Sequence, residues 1–160
     1  VIFITFEGIE GSGKSTQIKK LLNWFKEKGL KAIAVREPGG TEAGERIREI
    51  ILSKWKEKFP PVAELFLFCA SRAFLVENLI KPALSEKTIV VCDRYFDSTI
   101  AYQGFGRGID LDLVKKVSLV STLGVFPDIT FLIDVPPEVS LKRLGTKKDR
   151  IESEDIEFHK

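Results

Sequence analysis

The chain has 160 residues, 44% hydrophobic and 30% charged, with a formal net charge of +2. That balance fits one α/β-sized domain able to bury a sizeable core, and its charge argues neither for nor against a nucleic-acid partner. There is no long run of like charges, no apolar stretch of membrane-spanning length and no basic region leading into an apolar signal core, so a cytoplasmic chain with no nucleic-acid or membrane partner is expected.

Residues 1–6 are apolar and β-branched and predict a buried strand. Directly after it, Gly8-Ile9-Glu10-Gly11-Ser12-Gly13-Lys14-Ser15 completes a G-x-x-x-x-G-K-S pattern. Residues 16–28 then carry Ile18, Leu21, Leu22 and Phe25 at helical spacing. Strand, loop and helix in that order are the context in which this pattern means a phosphate-binding loop (P-loop). Glycines let successive N–H groups turn around phosphate oxygens, and the helix points its positive end at the same anion. Lys14 can reach the β- and γ-phosphates of a nucleoside triphosphate, and the Ser15 hydroxyl can hold Mg²⁺.

Further strands are predicted at 32–35, 88–92 and 129–135, each followed by a stretch with helical spacing. This alternation implies βαβ units around a parallel sheet, with binding residues gathered beyond the carboxyl ends of the strands. Residues 61–84 predict one long helix too apolar for a surface helix, part of which lines a pocket or meets another subunit. Residues 145–149 are the most polar interior stretch and predict a mobile segment. Cys69 and Cys92 each sit in an apolar run and read as buried thiols. His159 is the only histidine, which rules out a histidine-based triad.

Four clusters fall beyond the predicted strands. They are Arg36-Glu37-Pro38-Gly39-Gly40-Thr41, then Asp93-Arg94-Tyr95 with Ser98 and Ala101-Tyr102-Gln103, then Phe68 with Arg72 at i,i+4, and finally Lys142-Arg143 with Lys147-Lys148-Asp149-Arg150. Each alone reads as a solvated charge, a local ion pair or core. Together they place cations around one phosphate loop, as a second bound anion requires.

With Phe6-Glu7 ahead of the loop, Thr16 after it and Ile151-Glu152 after Arg150, these segments resemble the thymidylate kinase family in order and spacing over nearly the whole chain. The resemblance implies a P-loop NTPase fold, a three-layer α/β/α sandwich of the nucleoside monophosphate kinase type. It implies transfer of the γ-phosphoryl of ATP to dTMP, with Mg²⁺, in a homodimer. Gly8, Ile9, Glu10, Gly11, Ser12, Gly13, Lys14, Ser15, Thr16 and Arg143 then bind ATP, and Ser15 and Asp93 hold the metal. Lys14, Asp93, Arg94 and Arg150 are the catalytic set. Glu10, Arg36, Pro38, Phe68, Arg72, Arg94, Ser98, Tyr102 and Gln103 hold dTMP. Within that set Phe68 stacks on thymine, Arg72 donates to a thymine carbonyl, Gln103 reads the same edge, Glu10 faces the 3′-hydroxyl and Tyr102 crowds the 2′ position. Some family members carry arginine where this chain has Gly11. Here the resemblance places the catalytic arginine in a lid at about 143–152, at Arg150 or Arg143.

The family also carries a last strand and helix that these 160 residues do not include. Three other readings compete with this one. Thr146-Lys147-Lys148-Asp149 fits the T-K-x-D pattern of a small GTPase, but it follows a charged helix where that pattern closes a buried strand. A kinase for another nucleoside monophosphate conflicts with the Phe68, Arg72 and Gln103 set. A non-catalytic nucleotide-binding module is the third, separable by nucleotide binding without ADP release.

Overall fold

In the computed structural model the apolar runs form four strands, β1 (Phe3–Glu7), β2 (Ala32–Arg36), β3 (Ile89–Asp93) and β4 (Ile129–Leu132). Residues 1–144 and 148–159 are described. Gly145, Thr146 and Lys147, which belong to the segment expected to be mobile and to the T-K-x-D pattern, lie outside the described residues, as does Lys160. All pairings are parallel, in the order β2-β3-β1-β4. The register sets Phe6 opposite Asp93 and Arg36 opposite Asp93. The carboxyl ends of β2, β3 and β1 therefore finish level, and the chain leaves each into a segment that reaches the site.

Side chains alternate across the sheet and divide the core in two. On one face Ile4, Phe6 and Val91 pack against Ile18 and Phe25 of α1 (Lys14–Glu27). On the other face Phe3, Val35, Val90 and Cys92 pack against Leu75, Val76, Ile80 and Ala83. Helices thus cover both faces, the three-layer arrangement that a parallel sheet requires. Cys69 and Cys92 are both buried free thiols. β4 pairs with β1 and is exposed along its length, Phe131 to 44% and Leu132 to 69%.

The long helix expected over 61–84 is interrupted. It runs as α3 (Pro61–Leu75), a π-wound turn (Val76–Ile80) and α4 (Lys81–Ser85). Pro82 explains the break: it has no N–H to donate and its ring crowds the carbonyl one turn back. The wider turn relieves this, with the Lys81 N–H donating to Val76 O and Asn78 Nδ2 donating to Phe74 O at 2.9 Å. A second π-wound turn (Ile100–Gly106) follows the short α5 (Phe96–Thr99), and α6 (Leu111–Ser121) packs its Val114 against Leu65 and Cys69 of α3. The remaining helices are α2 (Glu42–Leu52), capped by Thr41 Oγ1 accepting from the Gly44 N–H, α7 (Pro137–Arg143) and α8 (Ile156–His159).

Leu75 is fully buried at the junction of α3 and the sheet. Leu75→Ala is expected to cost about 2–5 kcal/mol, read as a lower urea midpoint at unchanged slope.

Candidate active site

β1 delivers the chain into the loop at residues 8–15, and α1 leaves it. Gly8 and Gly11 have φ of 141° and 75°, and a Cβ at either would fall 2.6 Å from Ile133 O or 2.7 Å from Ser140 O. Backbone approaches this close, at positive φ, admit only glycine. The first turn of α1 contains no acidic residue, so its positive end is left for a ligand. Lys14 is buried, and its Nζ donates to Gly8 O (2.9 Å) and Ile9 O (3.0 Å). Burial and then the Arg94 charge pull its pKa below the usual lysine value, opposed by Glu10 and Asp93. From α7, Ser140 Oγ donates to Glu10 O and Arg143 Nη1 to Gly11 O at 3.1 Å, clasping the loop.

At the sheet edge Ser15 Oγ donates to Asp93 Oδ2 at 3.1 Å. A hydroxyl and a carboxylate converging beside a phosphate loop are hard oxygen donors suited to Mg²⁺. Among the described residues no three His, Cys, Asp or Glu side chains gather around one point. Such a pair suits a metal that takes its other ligands from phosphate and water, the usual mode for Mg²⁺ at nucleotides.

β3 ends in an elbow. Arg94 sits at φ 72°, a conformation that L-residues rarely adopt. The backbone groups around it are tied down. The Arg94 N–H donates to Phe6 O (2.9 Å), Cys92 Sγ donates to Arg94 O (2.9 Å), and the Tyr95 N–H donates to Glu7 Oε1 (2.7 Å). The side chain is held as firmly, with Nη1 donating to Ser98 Oγ (3.0 Å) and Nη2 to Glu10 Oε1 (2.8 Å), over the Tyr102 ring at 5.3 Å. Ser98 Oγ in turn donates to Glu7 Oε2 (2.5 Å). Burial pushes Glu10 up, but Arg94 and Lys14 outweigh it, leaving its carboxyl below the usual range.

Behind the elbow lies a cavity of about 60 Å³. Arg94, Arg48 and Glu10 line one part of its wall, and Phe68, Arg72 and Gln103 another. Arg72 is fully buried, and its donors are nearly all engaged. Nε and Nη2 donate to Glu37, Nη2 also to Thr99 Oγ1 (2.7 Å) and Nη1 to Ser121 Oγ (3.1 Å), which leaves one N–H on Nη1. Gln103, equally buried, donates from Nε2 to Glu64 Oε1 at 2.8 Å. Pro38 and Ser98 also line the cavity, and Arg48 Nη1 donates to Pro38 O at 2.9 Å. Arg48 carries no signal in the sequence. It sits mid-helix among other charges, and only the turn at 36–41 brings it to the cavity.

A loop for a triphosphate, opposed by a buried arginine and a cavity lined by an aromatic ring and buried polar side chains, is the layout of a nucleoside monophosphate kinase. The thymidylate kinase family model matches residues 6–160. A thymidylate kinase of Sulfurihydrogenibium sp. is 56% identical over 158 residues, covering 99% of this chain and 78% of that one. A thymidylate kinase of Caldanaerobacter subterraneus subsp. tengcongensis is 51% identical, covering 99% of this chain and 76% of that one. The crystal structure of thymidylate kinase from Ehrlichia chaffeensis superposes with a TM-score of 0.77 at 42% identity, over 89% of this chain and 77% of that one. The chain belongs to the thymidylate kinase family.

Two residues expected in this kinase's site stand elsewhere. Arg36 ends β2 half-exposed, and its Nη2 donates to both Glu45 carboxylate oxygens at 2.8 Å, outside the cavity lining. Arg150, expected at the transferring phosphate, turns away from the loop. Its Nε donates to Ile51 O (2.8 Å), its Nη1 meets Glu64 Oε2 (2.6 Å) and its guanidinium stacks on Phe59 at 4.1 Å. A buried carboxylate and an aromatic face compete for its charge there. Of the two lid arginines only Arg143 touches the loop. Asp149, the described end of the T-K-x-D pattern, spends Oδ1 on the N–H groups of Ile151 and Glu152 and lines the cavity.

Glu7 is buried, and burial pushes its pKa up to about 7 against the hydrogen bond from Ser98 and the charge of Arg94. A raised carboxyl favours the fold at low pH, and that contribution fades as pH rises from about 4.5 to about 7. Glu7→Gln removes the titration. The stability difference between variant and native chain should shift toward the variant by on the order of 3 kcal/mol across that window, measured by urea melts at several pH values.

Proposed function

We propose that the chain catalyses the family's phosphotransfer, ATP + dTMP → ADP + dTDP, with the donor phosphates in the loop at 8–15 and dTMP in the cavity behind Arg94. One observation carries the reading: Glu10, inside the donor loop, is paired with Arg94 of the acceptor cavity at 2.8 Å and lies within the field of Lys14. Donor and acceptor halves therefore meet at one point.

The roles follow from what phosphoryl transfer demands, positioning and neutralisation of charge. The loop's N–H groups, Lys14 and Thr16 cradle the triphosphate, and Arg143, already on Gly11 O, covers it from α7. Arg94 grips the acceptor phosphate and shares the charge of the transferring group, a role suited to a permanently charged fork held rigid. Arg48, Pro38 and Ser98 complete the phosphate side. Phe68 stacks on thymine, and the remaining Nη1 hydrogen of Arg72 donates to a thymine carbonyl, where cytosine presents an amino group instead. Gln103 reads the same edge. Glu10 accepts from the 3′-hydroxyl, and Tyr102 crowds a 2′-hydroxyl. Ser15 and Asp93 would hold Mg²⁺, which when bound neutralises charge on the β- and γ-phosphates.

A homodimer is part of this reading. Val62, Phe66 and Phe74 are 44 to 53% exposed on one face of α3, an apolar stripe suited to a second copy. A cytoplasmic placement is also part of this reading; no helix of the described residues is long and apolar enough to cross a membrane.

An assay coupled to ADP release, run with dTMP, dUMP, UMP, dCMP and GMP, should find dTMP the best acceptor, and any other ranking overturns the assignment. In the same assay Arg94→Ala should lower kcat by about 10³-fold or more with ATP binding retained. Phe66→Asp should move the sedimentation coefficient from that of a dimer to that of a monomer.

A further inference from the structure

Glu64 lies on α3 and is 1% exposed, yet no step of phosphoryl transfer uses it. Its two oxygens are ringed by N–H donors. Oε1 accepts from Gln103 Nε2 (2.8 Å) and Arg107 Nε (3.0 Å), and Oε2 faces Arg107 Nη2 (3.1 Å) and Arg150 Nη1 (2.6 Å). Arg107 is itself fixed, by Glu154 at 2.6 Å and by the Phe158 ring at 4.5 Å. Burial pushes the Glu64 carboxyl up, but Arg107, Gln103 and Arg150 more than offset it and leave it below the usual range. Two guanidiniums thus keep Glu64 ionised.

An ionised carboxylate accepts hydrogen bonds and cannot donate. Gln103 must therefore turn its NH₂ toward Glu64. The amide is buried and planar, so its carbonyl oxygen lies on the opposite side from the nitrogen that Glu64 holds. Thymine carries a hydrogen at N3, a donor; cytosine carries a bare N3, an acceptor. We propose that Glu64 is a positioning residue that fixes the Gln103 amide with its oxygen toward the base, so that the cavity offers an acceptor to thymine N3–H and no donor from that amide to cytosine N3. The proposal rests on the reading of dTMP as acceptor. It also accounts for the placement of Arg150, which joins Arg107 in supplying the charge that makes Glu64 an obligate acceptor.

The test is the ratio of kcat/KM for dTMP to that for dCMP. Both acceptors sample the same active molecules, so this ratio does not depend on how much of a variant is folded. Glu64→Gln can turn an N–H toward Gln103 and let its amide flip. The ratio should fall at least about tenfold, the worth of one specific hydrogen bond to a buried group, while KM for ATP stays unchanged. Gln103→Ala should lower the ratio as well, and Glu64→Gln added to it should lower it no further, because the carboxylate acts through that amide. If Glu64→Gln does not fold, Glu64→Gln with Arg107→Gln removes one of the two counter-charges together with the carboxylate and is read by the same ratio. A ratio within about twofold of native in the foldable variant, or additive losses in the combined one, overturns the proposal. A native chain that does not turn over dTMP overturns the functional reading beneath it, whereas an active native chain with an unmoved variant ratio overturns the role of Glu64 alone.

Discussion

A guanidinium buried without a partner is too costly to keep, and this constraint organises the acceptor side of the molecule. Arg72 and Arg94 are 1% and 8% exposed, and each meets a carboxylate carried by a different segment. Glu37, from the turn after β2, takes Arg72. Glu10, from the phosphate loop, takes Arg94, and Glu7 at the end of β1 anchors the Ser98 hydroxyl to which Arg94 also donates. Glu64, from α3, gathers Arg107 and Arg150. Each pairing consumes donors. What remains for a ligand is whatever these pairings leave over, such as the single N–H on Arg72 Nη1. In the proposed reading, specificity comes from this saturation, since a buried site with few free donors has few ways to accept a wrong base.

The same pairings mark where the sequence was legible. The phosphate loop declared itself because its chemistry is local: glycines, a lysine and a hydroxyl at fixed spacing between a strand and a helix. The parallel sheet was legible from alternation, and most strand ends shift by only a residue or two. The carboxylates were not legible. Glu7, Glu37 and Glu64 act on partners 91, 35 and 43 residues away, and no periodicity links such pairs. In the sequence a glutamate that anchors an arginine looks like any solvated glutamate.

Arg150 and Arg36 show the converse. Both carry the right charge at positions where a phosphate ligand fits, and both are taken by a nearer partner: Glu64 with Phe59 for one, Glu45 for the other. Charge type is therefore a weaker guide than competition for that charge. Arg143 reaches the phosphate loop because α7 packs directly on it through Ser140, which brings its guanidinium to Gly11 O.

The long apolar helix is apolar on its buried and exposed faces alike, with a polar stripe set into the buried one. Glu64, Phe68 and Arg72 follow at i, i+4 and i+8 on one stripe of α3, and Phe68 and Arg72 line the cavity. Leu65, Cys69 and Leu75 fill the core beside it, while Val62, Phe66 and Phe74 are exposed. Glu64 and Arg72 are polar residues inside a helix whose large apolar side chains fall on both its buried and its exposed faces, because the interior beside it holds the cavity as well as the core. A helix arranged this way is left with apolar side chains for its outer face, and covering that face while keeping the inner stripe in place is what a second copy of the chain would do.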